Sequence, residues 1–311
     1  MTSPSSAANA SPRRALVTGA TGFIGSHLVA RLAADGWDVH ALVRSGSRGN
    51  LAVAARTVLH LHDGTTEGMA AIVGAAAPDV VFHLASLFIA ETTLADVTGL
   101  VESNVLLGTQ LAEAMRVHRR TLLVNTGTVW QHYRDEDYHP VSLYAATKQA
   151  YADILRFYVE AAGLQVITLE LFESYGPADS RPKLMTALRR AALADTRPSL
   201  TDGRQELDFV HVRDIARAYA VAAERLLESA VRGHEVYMVR SGRARSVREL
   251  VALFGAARGR PLDAEWGARA YRAREMMRPW AGGETLPGWS PEVALEDGIR
   301  ELLRDPPAGD V

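Results

Sequence analysis

Six short apolar runs, interleaved with longer segments of helical pattern, limit what this chain can fold into. Ala15–Thr18, Asp38–Val43, Thr57–Leu61, Asp79–Leu84, Thr121–Asn125 and Gln165–Leu171 are rich in Val, Leu and Ile and almost unbroken in apolarity. That is the pattern of strands buried on both faces. Helical periodicity covers 24–35, 67–77, 100–118 and 144–162. Strands and helices in alternation predict βαβ units with right-handed crossovers, hence an α/β fold with a doubly wound parallel sheet. After Tyr175-Gly176-Pro177 the rhythm breaks into shorter segments punctuated by Pro and Arg. The expected organisation is a first domain over 13–176 and a smaller mixed lobe over 177–311, with some segments returning to the first domain.

Composition removes several classes of function. Of 311 residues, 48% are hydrophobic and 23% charged, so the bulk of the chain is not disordered. A net charge of −2 gives no general attraction to nucleic acid or anionic membrane. No apolar run approaches the roughly 20 residues that span a bilayer. There are no cysteines, which excludes disulfides, thiolate metal sites and a cysteine nucleophile. The ten histidines show no metal-ligand spacing. Met1–Pro12 is Ser/Ala/Pro-rich without a basic segment leading into an apolar core, which predicts a flexible tail and a cytoplasmic setting. Among 34 basic side chains only Lys148 and Lys183 are lysines. They point to places where a compact, flexible ammonium is needed.

The first strand runs straight into Thr18-Gly19-Ala20-Thr21-Gly22-Phe23-Ile24-Gly25 and then an amphipathic helix. Gly19, Gly22 and Gly25 fall three apart at a strand-to-helix junction. Glycine there permits a tight turn, close approach of backbone N–H groups to a pyrophosphate, and close packing of helix on strand. This predicts a Rossmann-type dinucleotide site involving Thr21, Phe23 and Ile24. An acidic residue ending the second strand would bind ribose hydroxyls and favour NAD. Arg44 stands there instead, with Ser45, Ser47 and Arg48 nearby, and it suits the 2′-phosphate of NADP. Asp63, just past the third strand, is a candidate for the adenine amino group.

Tyr144 and Lys148 open the helix at 144–162, four residues apart and so on one helical face. A phenol with an ordinary pKa near 10 is a poor acid–base catalyst at neutral pH. A neighbouring ammonium and an oxidised nicotinamide would favour its ionised form. Thr126, expected at the carboxyl end of a strand, is the candidate for holding the reacting oxygen, and Thr128 competes with it.

These residues are similar to those of the extended short-chain dehydrogenases/reductases, the nucleotide-sugar epimerase/dehydratase group. The resemblance runs from Arg14 through nearly the whole chain. It includes the TGATGFIG turn, His83-Leu84-Ala85-Ser86, Asn104-Val105 with Gly108-Thr109, Tyr144 with Lys148, Tyr175-Gly176-Pro177, Asp208-Phe209-Val210-His211-Val212 and Leu286-Pro287-Gly288-Trp289-Ser290-Pro291. It implies that Tyr144 is the acid–base group, that Lys148 binds the nicotinamide ribose and tunes Tyr144, and that Thr126 binds the substrate oxygen. It also implies cofactor contacts at Gly64, Leu84, Ala85, Ser86, Asn104 and Phe172, and makes the second lobe a substrate lobe.

Departures from the family pattern narrow the reaction. Dehydratases of the family carry an Asp-Glu pair after the catalytic Thr, where this chain has Gly127 and Thr128. Neither can perform that acid–base work. Glu170 and Glu173 stand where most relatives have Arg and Asn. The segment through Asp179-Ser180-Arg181-Pro182-Lys183 resembles CDP-abequose and CDP-paratose synthases, which reduce a 4-keto group. The expected function is NADPH-dependent reduction of a nucleotide-linked 4-keto-deoxysugar. Ser86, Thr126, Thr128, Glu173, Ser174, Lys183 and Arg204 would contact the nucleotide-diphosphate sugar, with Lys183 near the diphosphate. Leu207 replaces an arginine that many relatives use there, which leaves Arg204, Arg213, Arg272, Arg274 and Arg278 as unranked candidates. The alternatives are a 4-epimerase that retains NAD and a non-catalytic NADP sensor. Trp280, Trp289 and His83 read as structural. Helix 144–162 has a second apolar side at Ala150, Ile154, Phe157 and Ala161, which with helix 100–118 predicts a homodimer through a four-helix contact.

Overall fold

A computed structural model describes residues 11–44 and 57–304. Ser45, Ser47, Arg48 and most of the expected N-terminal tail lie outside the described residues. Strand β1 (Arg14–Thr18) leads into α1 (Phe23–Ala34), followed by β2 (Asp38–Arg44), β3 (Thr57–His62), α2 (Thr66–Ala76) and β4 (Val80–His83). Then come α3 (Asp96–Val101), a π-helical turn (Glu102–Leu106), α4 (Leu107–Val117), β5 (Leu122–Thr128), α5 (Leu143–Ala162) and β6 (Gln165–Leu171). The later elements are β7 (Glu173–Tyr175), α6 (Leu184–Ala194), β8 (Glu206–Leu207), β9 (Phe209–His211) and α7 (Val212–Leu227). The chain continues through β10 (His234–Val239), β11 (Arg245–Ser246), α8 (Val247–Ala257) and α9 (Leu295–Arg304).

Seven strands form one parallel sheet in the order β10-β6-β5-β4-β1-β2-β3. The unbroken apolarity of the strands has a direct cause. Successive residues feed two different cores. Ala15, Val17, Val80, Phe82 and Val124 pack under α1 and α7, whereas Leu16, Leu42, Val81, Leu123 and Val166 pack under α2, α4 and α5. Each such side chain contributes about 1.5–3 kcal/mol by leaving water, which fixes which face each helix covers. The order in which strands are added reverses between β1 and β4, and ligands of open α/β sheets bind outside the strand ends at such a switch point.

Two segments beyond residue 177 belong to this layered body. Helix α7 buries Ile215, Ala218, Tyr219, Ala222 and Leu226 against the sheet, and β10 pairs with β6 from His234↔Val166 to Val239↔Leu171. Helices α6, α8 and α9 gather around Leu188, Leu250, Phe254, Ile299 and Leu302 as a separate core.

The expected single helix over 100–118 starts earlier, at Asp96, and is interrupted by the π turn. Asn104 sits in that turn with its amide bonded to the Leu87 carbonyl and to Thr147, so the wider turn serves a side-chain anchor. Strand β5 extends to Thr128, three residues past its expected end, so Thr126 and Thr128 both lie within it.

Candidate active site

The glycine turn is built as its spacing predicts. Gly19 has φ +71, and a Cβ there would lie 2.6 Å from the Ala85 nitrogen. A Cβ on Gly25 would lie 2.1 Å from the Gly19 carbonyl oxygen. Helix α1 starts at Gly22 with no side-chain cap and no acidic residue in its first turn, so its first N–H groups remain able to meet an anion. This is the geometry a dinucleotide pyrophosphate requires, and the residues present fit one.

From this turn a cavity of about 420 Å³ runs along the carboxyl ends of the strands. Of the expected cofactor contacts, Gly19, Gly22, Phe23, Ile24, Gly25, Leu84, Ser86, Tyr144 and Phe172 line it. Thr21 is half-buried in the turn beside it. Arg44 ends β2, exposed, and forms no ion pair among the described residues. Four expected contacts are engaged in holding the fold. The Asp63 carboxylate accepts the N–H and hydroxyl of Thr65, fixing the start of α2. The Gly64 carbonyl accepts from Gln110, and the Ala85 N–H donates to the Thr18 hydroxyl. Asn104 is buried and accepts from the Ser86 hydroxyl and the Leu87 N–H, so it shapes the loop that presents Ser86.

Helix α5 begins where the Ser142 hydroxyl accepts the Ala145 N–H, which places Tyr144 in its first turn. The phenol projects into the cavity beside Phe88 and Trp130, whose rings lie 5.0 and 6.5 Å from its own in edge-to-face contact. Thr128 and Ser86 line the cavity with it, and both act to lower its pKa. Thr126 and Thr128 both line the cavity, and they differ in what their hydroxyls already hold. Thr126 donates to the His83 carbonyl at 2.7 Å and receives the Tyr219 hydroxyl at 2.6 Å, so its single proton is already used inside the wall. Sequence spacing could not see Tyr219, which arrives on α7 from 93 positions away.

The expected lowering of the phenol by Lys148 is also corrected. Burial pushes Tyr144 up to about 12, and the Glu173 carboxylate adds to this, while Thr128, Ser86 and Arg181 oppose it. Burial pushes Lys148 down to about 8. Its ammonium bears on the His83 ring, which burial and this charge hold at about 3. Lys148 borders a separate polar cavity of about 170 Å³ under α5, with Asn125, Thr168, Glu170 and His234. The His83 imidazole hydrogen-bonds the Thr18 hydroxyl at 2.8 Å, in keeping with a structural role. Trp280 stacks on His132, itself paired with Glu170 at 2.6 Å, and Trp289 donates to the Asp214 carbonyl.

A second cavity of about 550 Å³ adjoins the first. Phe88, Trp130, Glu173, Pro182 and Lys183 line both. Arg181, which sequence reasoning did not assign, lies 4.3 Å over the Phe23 ring and donates to Ser174 and Asp179. Arg204 is corrected: its guanidinium pairs with Asp202 and is three-quarters exposed, away from both cavities. Among the arginine candidates only Arg272 lines the second cavity, stacked over Trp130. Arg213 pairs with Glu301, and Arg274 caps the Pro140 carbonyl. Among the described residues no cluster of His, Asp or Glu could hold a metal ion, and no helix is long and apolar enough to cross a membrane.

Comparison with known proteins agrees with this arrangement. The profile of the NAD dependent epimerase/dehydratase family matches residues 15–238. CDP-abequose synthase of Salmonella muenchen is 25% identical over 299 residues, covering 94% of this chain and 97% of that protein. UDP-glucose 4-epimerase of Mycolicibacterium smegmatis is 30% identical over 309 residues, covering 93% and 97%. The crystal structure of Thermus thermophilus UDP-glucose 4-epimerase in complex with NAD superposes with a TM-score of 0.80 at 26% identity, over 94% of this chain and 98% of that one. With its glycine turn, its seven-stranded parallel sheet and its buried Tyr144 and Lys148, the chain belongs to the NAD dependent epimerase/dehydratase family of nucleotide-sugar enzymes.

Proposed function

We propose that the protein reduces the 4-keto group of a nucleotide-linked deoxysugar with NADPH. The observation that carries this reading is the state of Tyr144. Its phenol is buried in the cavity that starts at the glycine turn and stands protonated at neutral pH, since burial raises an already high pKa further. A reductase needs this form, because the group must give a proton to a new alkoxide.

The bound cofactor supplies the hydride. Tyr144 donates its phenolic proton to the carbonyl oxygen as that oxygen gains charge, and ends as a phenolate. Thr128, beside the phenol, orients the oxygen. Buried Lys148, one turn along α5, is assigned to the nicotinamide ribose. Phe88 and Trp130 set an apolar surface beside the reacting position. Arg44, in place of a carboxylate at the end of β2, supports NADPH over NADH. Lys183 and Arg272 support a diphosphate between the cavities. The outward side of α5, with Phe157 60% exposed, supports a homodimer.

The test follows NADPH oxidation against a panel of 4-keto nucleotide sugars carrying CDP, TDP, UDP or GDP, with NADH in parallel. The expected result is consumption of NADPH by at least one sugar and a clear preference over NADH. The 30% identity to a UDP-glucose 4-epimerase supports a second reading, 4-epimerisation by the same residues. That reading requires purified protein to hold NAD tightly and to consume no reduced cofactor.

A further inference from the structure

The neck shared by the two cavities gathers three cations, each facing its own carboxylate: Lys183 with Glu173, Arg181 with Asp179, and Arg272 with Glu275. These pairs are not equivalent. Arg181 holds Asp179 through two nitrogens at 2.7 Å and also reaches Ser174. Arg272 holds Glu275 through two nitrogens at 2.8 Å. Lys183 makes one contact to Glu173, at 3.3 Å, with its ammonium 5.0 Å over the Phe88 ring. A planar guanidinium in a two-pronged pair is held in place, whereas a single long contact on a four-carbon stem rearranges readily. A diphosphate lying across the neck therefore finds one cation it can recruit. Recruiting it removes the nearest counter-charge of Glu173, a carboxylate on the wall of the same cavity as Tyr144.

We propose that Lys183 is exchanged from Glu173 to the substrate diphosphate, and that the carboxylate thus released keeps Tyr144 protonated until the carbonyl oxygen takes the proton. Glu173 is then a positioning residue, acting on the direction of the reaction through Tyr144. This rests on the reductase reading above. The charged and titratable groups around the pair are few. Tyr144 faces Glu173, Arg181 and Tyr219, the hydroxyls of Thr128 and Ser86, and Lys148 on its own helix. Glu173 faces Lys183, Arg181 and Arg272. No covalent bond changes in the exchange, and the one proton that moves goes from Tyr144 to the substrate oxygen. An amide at residue 173 would leave Lys183 free from the outset and would remove the negative charge beside the phenol.

Calorimetry on the NADP-loaded enzyme, with CDP and UDP as probes, tests the first half. Glu173→Gln is expected to bind the better nucleotide about three- to ten-fold more tightly than the wild type. That gain should vanish when Lys183→Met is added. The second half is read from the pH profile of kcat for reduction, which falls as pH rises through the Tyr144 pKa. Glu173→Gln is expected to move that alkaline limb down by about one pH unit, with NADPH affinity unchanged as the check on folding. Unaltered or weaker nucleotide binding by Glu173→Gln overturns the exchange, and an unmoved limb overturns the action on Tyr144. Should no 4-keto sugar be reduced by the wild type, the reductase reading falls and the protonation step with it, while nucleotide binding alone still decides the exchange.

Discussion

Tyr144 and Lys148 are one turn apart on α5, yet burial drives their ionisation in opposite directions, and the signs give separate pH windows. Lys148 falls to about 8 in the folded chain from 10.5, so between those values the unfolded chain binds more protons and stability rises with pH. Tyr144 is raised from 10.0 to about 12, so its contribution is whole below 10 and is lost between 10 and 12. Lys148→Met should abolish the rise across pH 8 to 10.5 and leave the fall above 10 in place, as read from denaturant midpoints at each pH. In catalysis, Tyr144→Phe should lower kcat by about 10²–10⁴-fold with NADPH binding retained. The two threonines separate by the kind of loss each shows. Thr128→Val should lower kcat because its hydroxyl faces the phenol, and should cost about 0.5–2 kcal/mol of stability because that hydroxyl also accepts the Trp130 N–H. Thr126→Val should cost about 1–3 kcal/mol of stability, because it strands the His83 carbonyl and the buried Tyr219 hydroxyl. Equal kcat losses for both variants, with no stability difference, would return the orienting role to Thr126.

At the scale of elements, the turn between β1 and α1 holds the site, and its glycines are unequal. A Cβ on Gly25 would press 2.1 Å from the Gly19 oxygen, against backbone that cannot move without shifting β1, whereas one on Gly22 would stand 3.2 Å from the same atom. Gly25→Ala should therefore abolish measurable NADPH binding in a fluorescence titration. Gly22→Ala should weaken it far less and leave the thermal midpoint nearly unchanged. This turn was legible in the sequence because its geometry is local: strand, glycines and helix run without interruption from Arg14 to Ala34. The buried strands were legible for a similar reason, since β6 needs apolar residues at every position and shows them from Val166 to Leu171 except at Thr168 and Glu170. The edge strand β10 was not, because exposed Val236 and polar His234 and Glu235 interrupt its pattern. Arg272 and Arg204 were indistinguishable for another reason. Both sit in stretches without periodicity, and only the folded path decides that one meets Trp130 and the other Asp202.

For the molecule as a whole, α4, α5 and the turns that lead into α4 leave an apolar surface facing outward. Phe157 is 60% exposed, Val117 and Leu106 about half, and Val101 nearly so. Large aromatic side chains left in water on a helix whose other face is fully buried mark an interaction surface. In the proposed dimer a second copy of the chain would meet that surface with the same residues, as the two-fold symmetry common among soluble oligomers requires. The proposed dimer then has a consequence that separates assembly from chemistry. Phe157→Glu sets like charges against each other across the symmetric contact, so sedimentation equilibrium at micromolar protein should show the wild type as a dimer and the variant as a monomer. Because Tyr144, Thr128 and Glu173 lie on the inner side of α5 and beyond it, NADPH turnover per chain should stay within about two-fold, and the thermal midpoint should fall as the contact is lost. A monomeric wild type, or a Phe157→Glu variant that still pairs, would show that this face serves something other than self-association.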